Sequence, residues 1–172
     1  MASRTPTRLI RSLSVVTAAS LVAYGTAVVD LAAANPSVAC GVDLAAPQVA
    51  QAVRSLPPYE GTDWAWSTDP ATFEGNFNPC ATLSTALVTV EGATGSSPTT
   101  ALMFHNGTYL GTATSKAYAF TSLDRARTTD DTVVLNYKDG RNVCTACEGP
   151  VNSVRYQWQG DHVAMLDPAP PA

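Results

Sequence analysis

With 172 residues and 14 acidic against 10 basic side chains, the chain carries a formal net charge of −4. A surface of that sign repels phosphate backbones and anionic head groups, which argues against a nucleic-acid partner. The length accommodates one domain plus a targeting segment, and 4 cysteines form an even set suited to an oxidising compartment.

Residues 1–34 read as a secretory signal peptide. Arg4, Arg8 and Arg11 make a positive start, Leu13 to Val29 carries no charge, and Ala32-Ala33-Ala34 offers a small-residue cleavage site. The uncharged run falls short of the ~20 residues of a membrane span, so no stable transmembrane segment is expected after cleavage. No Arg-Arg pair is present, which favours the general secretion route over the twin-arginine route. The product is expected to be secreted or associated with the cell envelope. Residues 35–166 read as a single domain, and 167–172 as a proline-rich, frayed tail.

Within the domain a helix is expected from Pro47, whose missing N–H suits a first helical position. Val49, Ala52, Val53 and Leu56 recur at helical spacing, and Pro57-Pro58 ends the run. So short a helix needs a surface to lie on. Tyr59 to Cys80 reads as a loop whose aromatics, Trp64, Trp66 and Phe73, pin it to the core; an aromatic binding shelf is the functional alternative. Leu83 to Glu91 is strand-like.

Gly92 to Pro98 follows as a glycine-serine loop, and then two strands, Thr99 to His105 and Thr108 to Ala113, flank Asn106-Gly107. That pair favours a type I′ turn, because both positions need positive φ. The turn places His105 opposite Thr108, Phe104 opposite Tyr109 and Leu102 opposite Gly111. Phe104, Leu102 and Tyr109 then share one face, with Met103, Leu110 and Ala101 on the other. With both faces apolar, the hairpin is expected inside the sheet and covered on each side. Further strands are read at Tyr118 to Leu123 and at Thr132 to Lys138, where Val133, Leu135 and Tyr137 face one way. A second hairpin, Ser153 to Gln159 with His162 to Leu166, sets Trp158 opposite Val163 and Tyr156 opposite Met165. The expected fold is α+β: one N-terminal helix packed on a six- to seven-stranded, mostly antiparallel sheet, a meander of hairpins.

The four cysteines allow three connectivities; Cys40 with Cys80 and Cys144 with Cys147 is preferred. Cys40 has a rival role as a lipidated N-terminus. Val38 and Ala39 suit a lipoprotein cleavage site. Against it, Ser37 stands where leucine is usual, and Asp30, Asn35 and Pro36 separate Cys40 from the apolar run. A helix also begins within a few residues, where a polar tether would be needed, so no lipid anchor at Cys40 is expected. Cys144-Thr-Ala-Cys147 matches the spacing of redox and zinc sites. No helix follows it to stabilise a thiolate, and a structural disulfide is the reading taken.

His105 and His162 each flank a turn without a partner at ligand spacing, so neither a metal nor another cofactor is expected. Gly95-Ser96-Ser97-Pro98 is not a nucleophile elbow, and no catalytic set is assembled, so the chain is not expected to be an enzyme. The candidate ligand contacts are Thr94, Gly95, Ser96, Ser97, His105, Trp64 and Trp66, around a pocket between the Gly92–Pro98 loop, the Trp64–Trp66 loop and the sheet. The expected partner is an envelope component, whether lipid, glycan or protein. Two alternatives stand beside this binding module: an accessory envelope hydrolase using Ser96 or Ser97 with His105, and a purely structural envelope protein.

Several blocks together resemble one family. They are Cys40-Gly41, Leu56-Pro57-Pro58, Asn78-Pro79-Cys80-Ala81-Thr82-Leu83-Ser84, Val88-Thr89-Val90-Glu91-Gly92-Ala93-Thr94-Gly95-Ser96-Ser97-Pro98, Phe104-His105-Asn106-Gly107 and Leu110-Gly111-Thr112-Ala113-Thr114. The pattern resembles the LppP/LprE lipoproteins, exported cell-envelope proteins of mycobacteria and related actinobacteria, over residues 40–166. The resemblance implies an address and a fold. It carries over no catalytic residue, and Cys40 matches the domain's own Cys-Gly rather than an anchor.

Overall fold

The computed structural model describes residues 39–142 and 144–170; the signal-peptide reading of residues 1–34 lies outside them. Within the described residues the chain forms one α-helix, α1 (Pro47–Arg54), and eight strands. These are β1 (Glu74–Gly75), β2 (Ser84–Thr89), β3 (Thr99–His105), β4 (Thr108–Thr112), β5 (Thr121–Leu123), β6 (Thr132–Lys138), β7 (Val151–Trp158) and β8 (Val163–Met165). All pairings are antiparallel, and the strands run in meander order as expected. They divide, however, into two four-stranded sheets, β1-β2-β3-β4 and β5-β6-β7-β8, instead of the single sheet of six or seven strands that was expected.

The reason lies in β2 and β3, which are apolar on both faces. On one face Leu87, Ala101 and Met103 pack with Val133, Leu135, Tyr137, Val154 and Tyr156, so the second sheet covers the first. On the other, Ala86, Val88, Leu102 and Phe104 pack under Val49, Ala52 and Val53 of α1 and under Trp66, Phe73 and Phe77. A meander running on past β4 in one layer would leave one of these faces wet. Full burial of a Leu or Phe side chain contributes about 1.5–3 kcal/mol, so folding back into a sandwich is strongly favoured. The corner is made where Tyr118 exchanges two 3.1 Å backbone hydrogen bonds with Thr99, and Phe120 then adopts φ 56°.

Local signals determine the hairpins. Asn106 and Gly107 take φ of 45° and 77°, as a type I′ turn requires, and His105 pairs with Thr108 and Phe104 with Tyr109. One step further the register slips. Met103 pairs with Gly111 and Leu102 with Thr112, leaving Leu110 as the extra residue of a bulge and correcting the expected Leu102–Gly111 pair. Only β3 of this hairpin is interior. β4 is an edge strand and Leu110 is 42% exposed, so the hairpin does not lie at the centre of the sheet. The second hairpin keeps its expected pairs, Trp158 with Val163 and Tyr156 with Met165.

Inside the segment read as loop, Glu74 and Gly75 pair with Leu87 and Ala86. Gly75 has φ 136°, and a Cβ there would overlap the Thr85 carbonyl oxygen. The segment 167–170 is pinned rather than frayed. Asp167 accepts from Nε and Nη2 of Arg155, each at 2.8 Å, and Pro170 is buried. Disulfides join Cys40 to Cys80 and Cys144 to Cys147, across sequence separations of 40 and 3. By loop-closure entropy the first contributes about 4 kcal/mol and the second about 2.

Candidate functional site

A hollow of about 740 Å³ lies on the helix side of the first sheet, between two connections. One wall follows directly from α1. The helix ends at Arg54, just before Leu56-Pro57-Pro58, and the Pro57 carbonyl accepts a 2.8 Å hydrogen bond from the Trp66 indole Nε1. Trp66 is held in turn by a backbone bridge to Val90 at the end of β2, so its ring is 9% exposed and forms both core and wall. Tyr59 donates its N–H to the Trp64 carbonyl at 3.0 Å. Its ring stacks on Trp64 at 6.1 Å and meets Trp66 edge-on at 6.2 Å. Trp64 continues this aromatic row outward and is 52% exposed.

The facing wall is the β4–β5 connection, Thr112 to Ala117. Two threonines shape it. Thr112 Oγ1 donates to the Thr114 carbonyl at 2.8 Å, and Thr114 Oγ1 donates to the Lys116 carbonyl at 2.7 Å. The floor is Thr100 of β3, which is 4% exposed. Glu60 on one wall and Lys116 on the other balance in charge.

The residues expected to form one pocket are not brought together. Trp66 lines the 740 Å³ cleft and Trp64 extends its rim. Thr94, Gly95 and Ser97 instead line a smaller hollow of about 220 Å³, beside Glu74 of β1 and Thr121 of β5. That loop is closed on itself, with Thr94 N donating to Ser97 Oγ at 2.8 Å. Its Gly95 sits against the C-x-x-C turn, where a Cβ would come 2.8 Å from Thr145 Cγ2. Ser96 is exposed and lines none of these hollows. The C-x-x-C turn is also held from below, since Lys138 Nζ donates to the Thr145 and Cys147 carbonyls at 2.8 and 3.0 Å.

His105 lies at the other end of β3, about 20 Å from the loop by strand rise. Its ring stacks on Trp158 at 3.8 Å. Nδ1 donates to the Thr82 carbonyl at 2.6 Å, and Nε2 accepts from Asn106 Nδ2 at 3.0 Å, so both nitrogens are occupied. The serine–histidine pairing of the hydrolase alternative is therefore not assembled. Among the described residues no group of three or more His, Cys, Asp or Glu converges on a metal position. Burial pushes the Tyr137 and Tyr156 phenols above their ordinary range, and their hydroxyls meet at 2.9 Å inside the sandwich.

Sequence reading missed Pro57, Pro58, Tyr59, Thr112 and Thr114 as site residues. Two signals were present: an aromatic directly after a double proline, and the hydroxyl-rich run Thr112 to Ser115. It also missed an apolar hollow of about 450 Å³ between β4 and β8, lined by Met103, Leu110, Trp158 and Met165.

Comparison with known proteins places this geometry in context. The family model described as LppP/LprE lipoprotein matches residues 75–161. The chain is 34% identical over 127 residues to "Putative lipoprotein LprE" of Mycobacterium tuberculosis strain H37Rv, and equally to that of Mycobacterium bovis. Those alignments cover 74% of this chain and 58% of each relative, so the chain spans little more than half their length. The Mycobacterium leprae protein of the same name is 30% identical over 143 residues, covering 83% of this chain and 67% of the relative. No solved structure matches the chain. Among the described residues no helix is long and apolar enough to cross a membrane.

Proposed function

The chain belongs to the LppP/LprE lipoprotein family, and from that membership we propose that it is an exported cell-envelope domain working as a non-enzymatic binding module. The observation that carries this reading is the aromatic cleft. Its volume of about 740 Å³ falls in the range of ligand sites, its walls mix aromatic faces with convergent hydroxyls, and both walls are connections held on a rigid sheet. A ligand at 100 times its Kd would stabilise the fold by about 2.7 kcal/mol. The test is a thermal-shift titration of the mature protein with envelope lipids, glycans and proteins. A saturable rise that Tyr59→Ala abolishes supports the binding module. No rise across all three classes would favour a purely structural envelope protein.

The relatives are named as lipoproteins, and that name fits export to the envelope. For this chain we propose cleavage after residue 34 and no acyl chain on Cys40. The Cys40 sulfur is bonded to Cys80, and a thioether-linked lipid needs that same sulfur. Intact mass of the non-reduced mature protein decides the point: a diacylglyceryl increment on Cys40 refutes the proposal.

A further inference from the structure

We propose that the cleft between Pro57–Trp66 and Thr112–Ala117 binds an uncharged saccharide, an assignment that rests on the cleft being the binding site. Three features of its lining converge. The first is the aromatic row. Tyr59 and Trp66 meet at 89° within the cleft, and Trp64, 52% exposed, carries the row outward past the rim. Flat apolar ring faces beside hydroxyls suit a ligand with an apolar C–H face and a polar edge, which a pyranose ring has.

The second is the direction of the hydrogen bonds. The Thr112 and Thr114 hydroxyls spend their hydrogens on the Thr114 and Lys116 carbonyls of their own connection. Thr112 keeps lone pairs for a ligand, whereas the Thr114 hydroxyl also lies against the buried Tyr137 phenol. Beside Ser115 and Lys116, which can donate, the wall thus also presents acceptors, and a ligand that both donates and accepts fits it best. Sugar hydroxyls do both. Phosphate and carboxylate groups only accept, and a proline-rich segment brings carbonyls without N–H groups. An acyl chain would cover these acceptors without satisfying them, which costs their hydration.

The third is charge. Glu60 and Lys116 are the cleft's two ionisable side chains of opposite sign, one on each wall, so the site has no net charge with which to select an ionic ligand.

The experiment uses the mature chain with both disulfides intact. Tryptophan fluorescence and saturation-transfer NMR would be read against neutral arabino-, galacto-, gluco- and manno-oligosaccharides, with a polyproline peptide and inorganic phosphate as comparison probes. The expected result is saturable binding of at least one saccharide, with Kd raised tenfold or more in Tyr59→Ala and also in Thr112→Val, which deletes one acceptor from the wall. Unchanged melting temperatures would establish that both variants are folded; if Tyr59→Ala is not, Thr112→Val and the exposed Trp64→Ala carry the test. Binding of the peptide or of phosphate with no saccharide response overturns the saccharide assignment and leaves the cleft as a binding site. No response to any probe overturns the saccharide assignment and leaves the binding module to be decided by the lipid and protein titrations. Saccharide binding that neither variant weakens places the sugar elsewhere and overturns the assignment.

Discussion

Replacing both cysteines of one disulfide at a time separates the two staples by size. Cys40 and Cys80 close a separation of 40 residues, whereas Cys144 and Cys147 close a separation of 3. Loop-closure entropy predicts losses of about 4 and about 2 kcal/mol respectively. For the long loop the native contacts point the same way. Gly41 N donates to Asn78 Oδ1 at 3.1 Å and Asp43 N to the Phe77 carbonyl at 2.9 Å, so the N-terminal segment is aligned beside Cys80 without the bridge. The bridge then acts mainly on the unfolded chain. Urea unfolding of the Cys40→Ser/Cys80→Ser variant should lower the midpoint by about 2 M, for an m-value of about 2 kcal/mol/M. The Cys144→Ser/Cys147→Ser variant should lower it by about half as much, because Lys138 still holds the turn through two carbonyls. Equal midpoints for the two variants, or a larger loss from the short loop, would refute the reasoning.

Three further outcomes follow from single contacts. Gly75→Ala should cost at least about 1–3 kcal/mol in thermal unfolding, since its φ of 136° and the Thr85 carbonyl both oppose a Cβ; a neutral result would mean β1 is not paired as described. Tyr137→Phe should cost about 1–3 kcal/mol by leaving the buried Tyr156 hydroxyl without its 2.9 Å partner, while the double Phe variant should recover part of that loss, and additive losses would count against the pairing. The Arg155 guanidinium holds the Asp167 carboxyl at about 2, below its ordinary 3.8. With the folded value depressed, the pinning of the tail is complete above 3.8 and fades as pH falls through about 2, a step that NMR titration should follow and Arg155→Gln should remove.

How far these features could be read from the chain depended on their range. Asn106-Gly107 sets its own backbone, so the turn and its first two pairs were legible. The bulge at Leu110 was not, because it turns on where Tyr109 and Gly111 settle against the packing above and below β4. Asn136 and Lys138 alternate with buried Leu135 and Tyr137, which marks the second half of β6 as covered on one face, while Val133, Val134 and Leu135 before it are all buried. The same pattern does not say whether a helix or a second sheet covers the buried side. The candidate site was legible only as a part. Trp66 announced itself as an aromatic in a loop, but the residues sought around one pocket are spread out: Trp66 lines the cleft, Thr94, Gly95 and Ser97 line a separate hollow, and His105 ends β3, which begins after that loop.

By itself the sequence determined the helix start at Pro47, the hairpin turns, the cysteine pairing preferred among three, and a resemblance to the right family. Each rests on residues that are neighbours or share a local motif, where sterics and spacing act without the rest of the fold. The tertiary structure decided the two-layer sandwich, the pinned tail and the cleft. Each of these joins segments that the chain separates, such as Pro57 with Thr114 across the cleft and Leu87 with Val133 between the sheets, and they meet because both faces of β2 and β3 had to be covered.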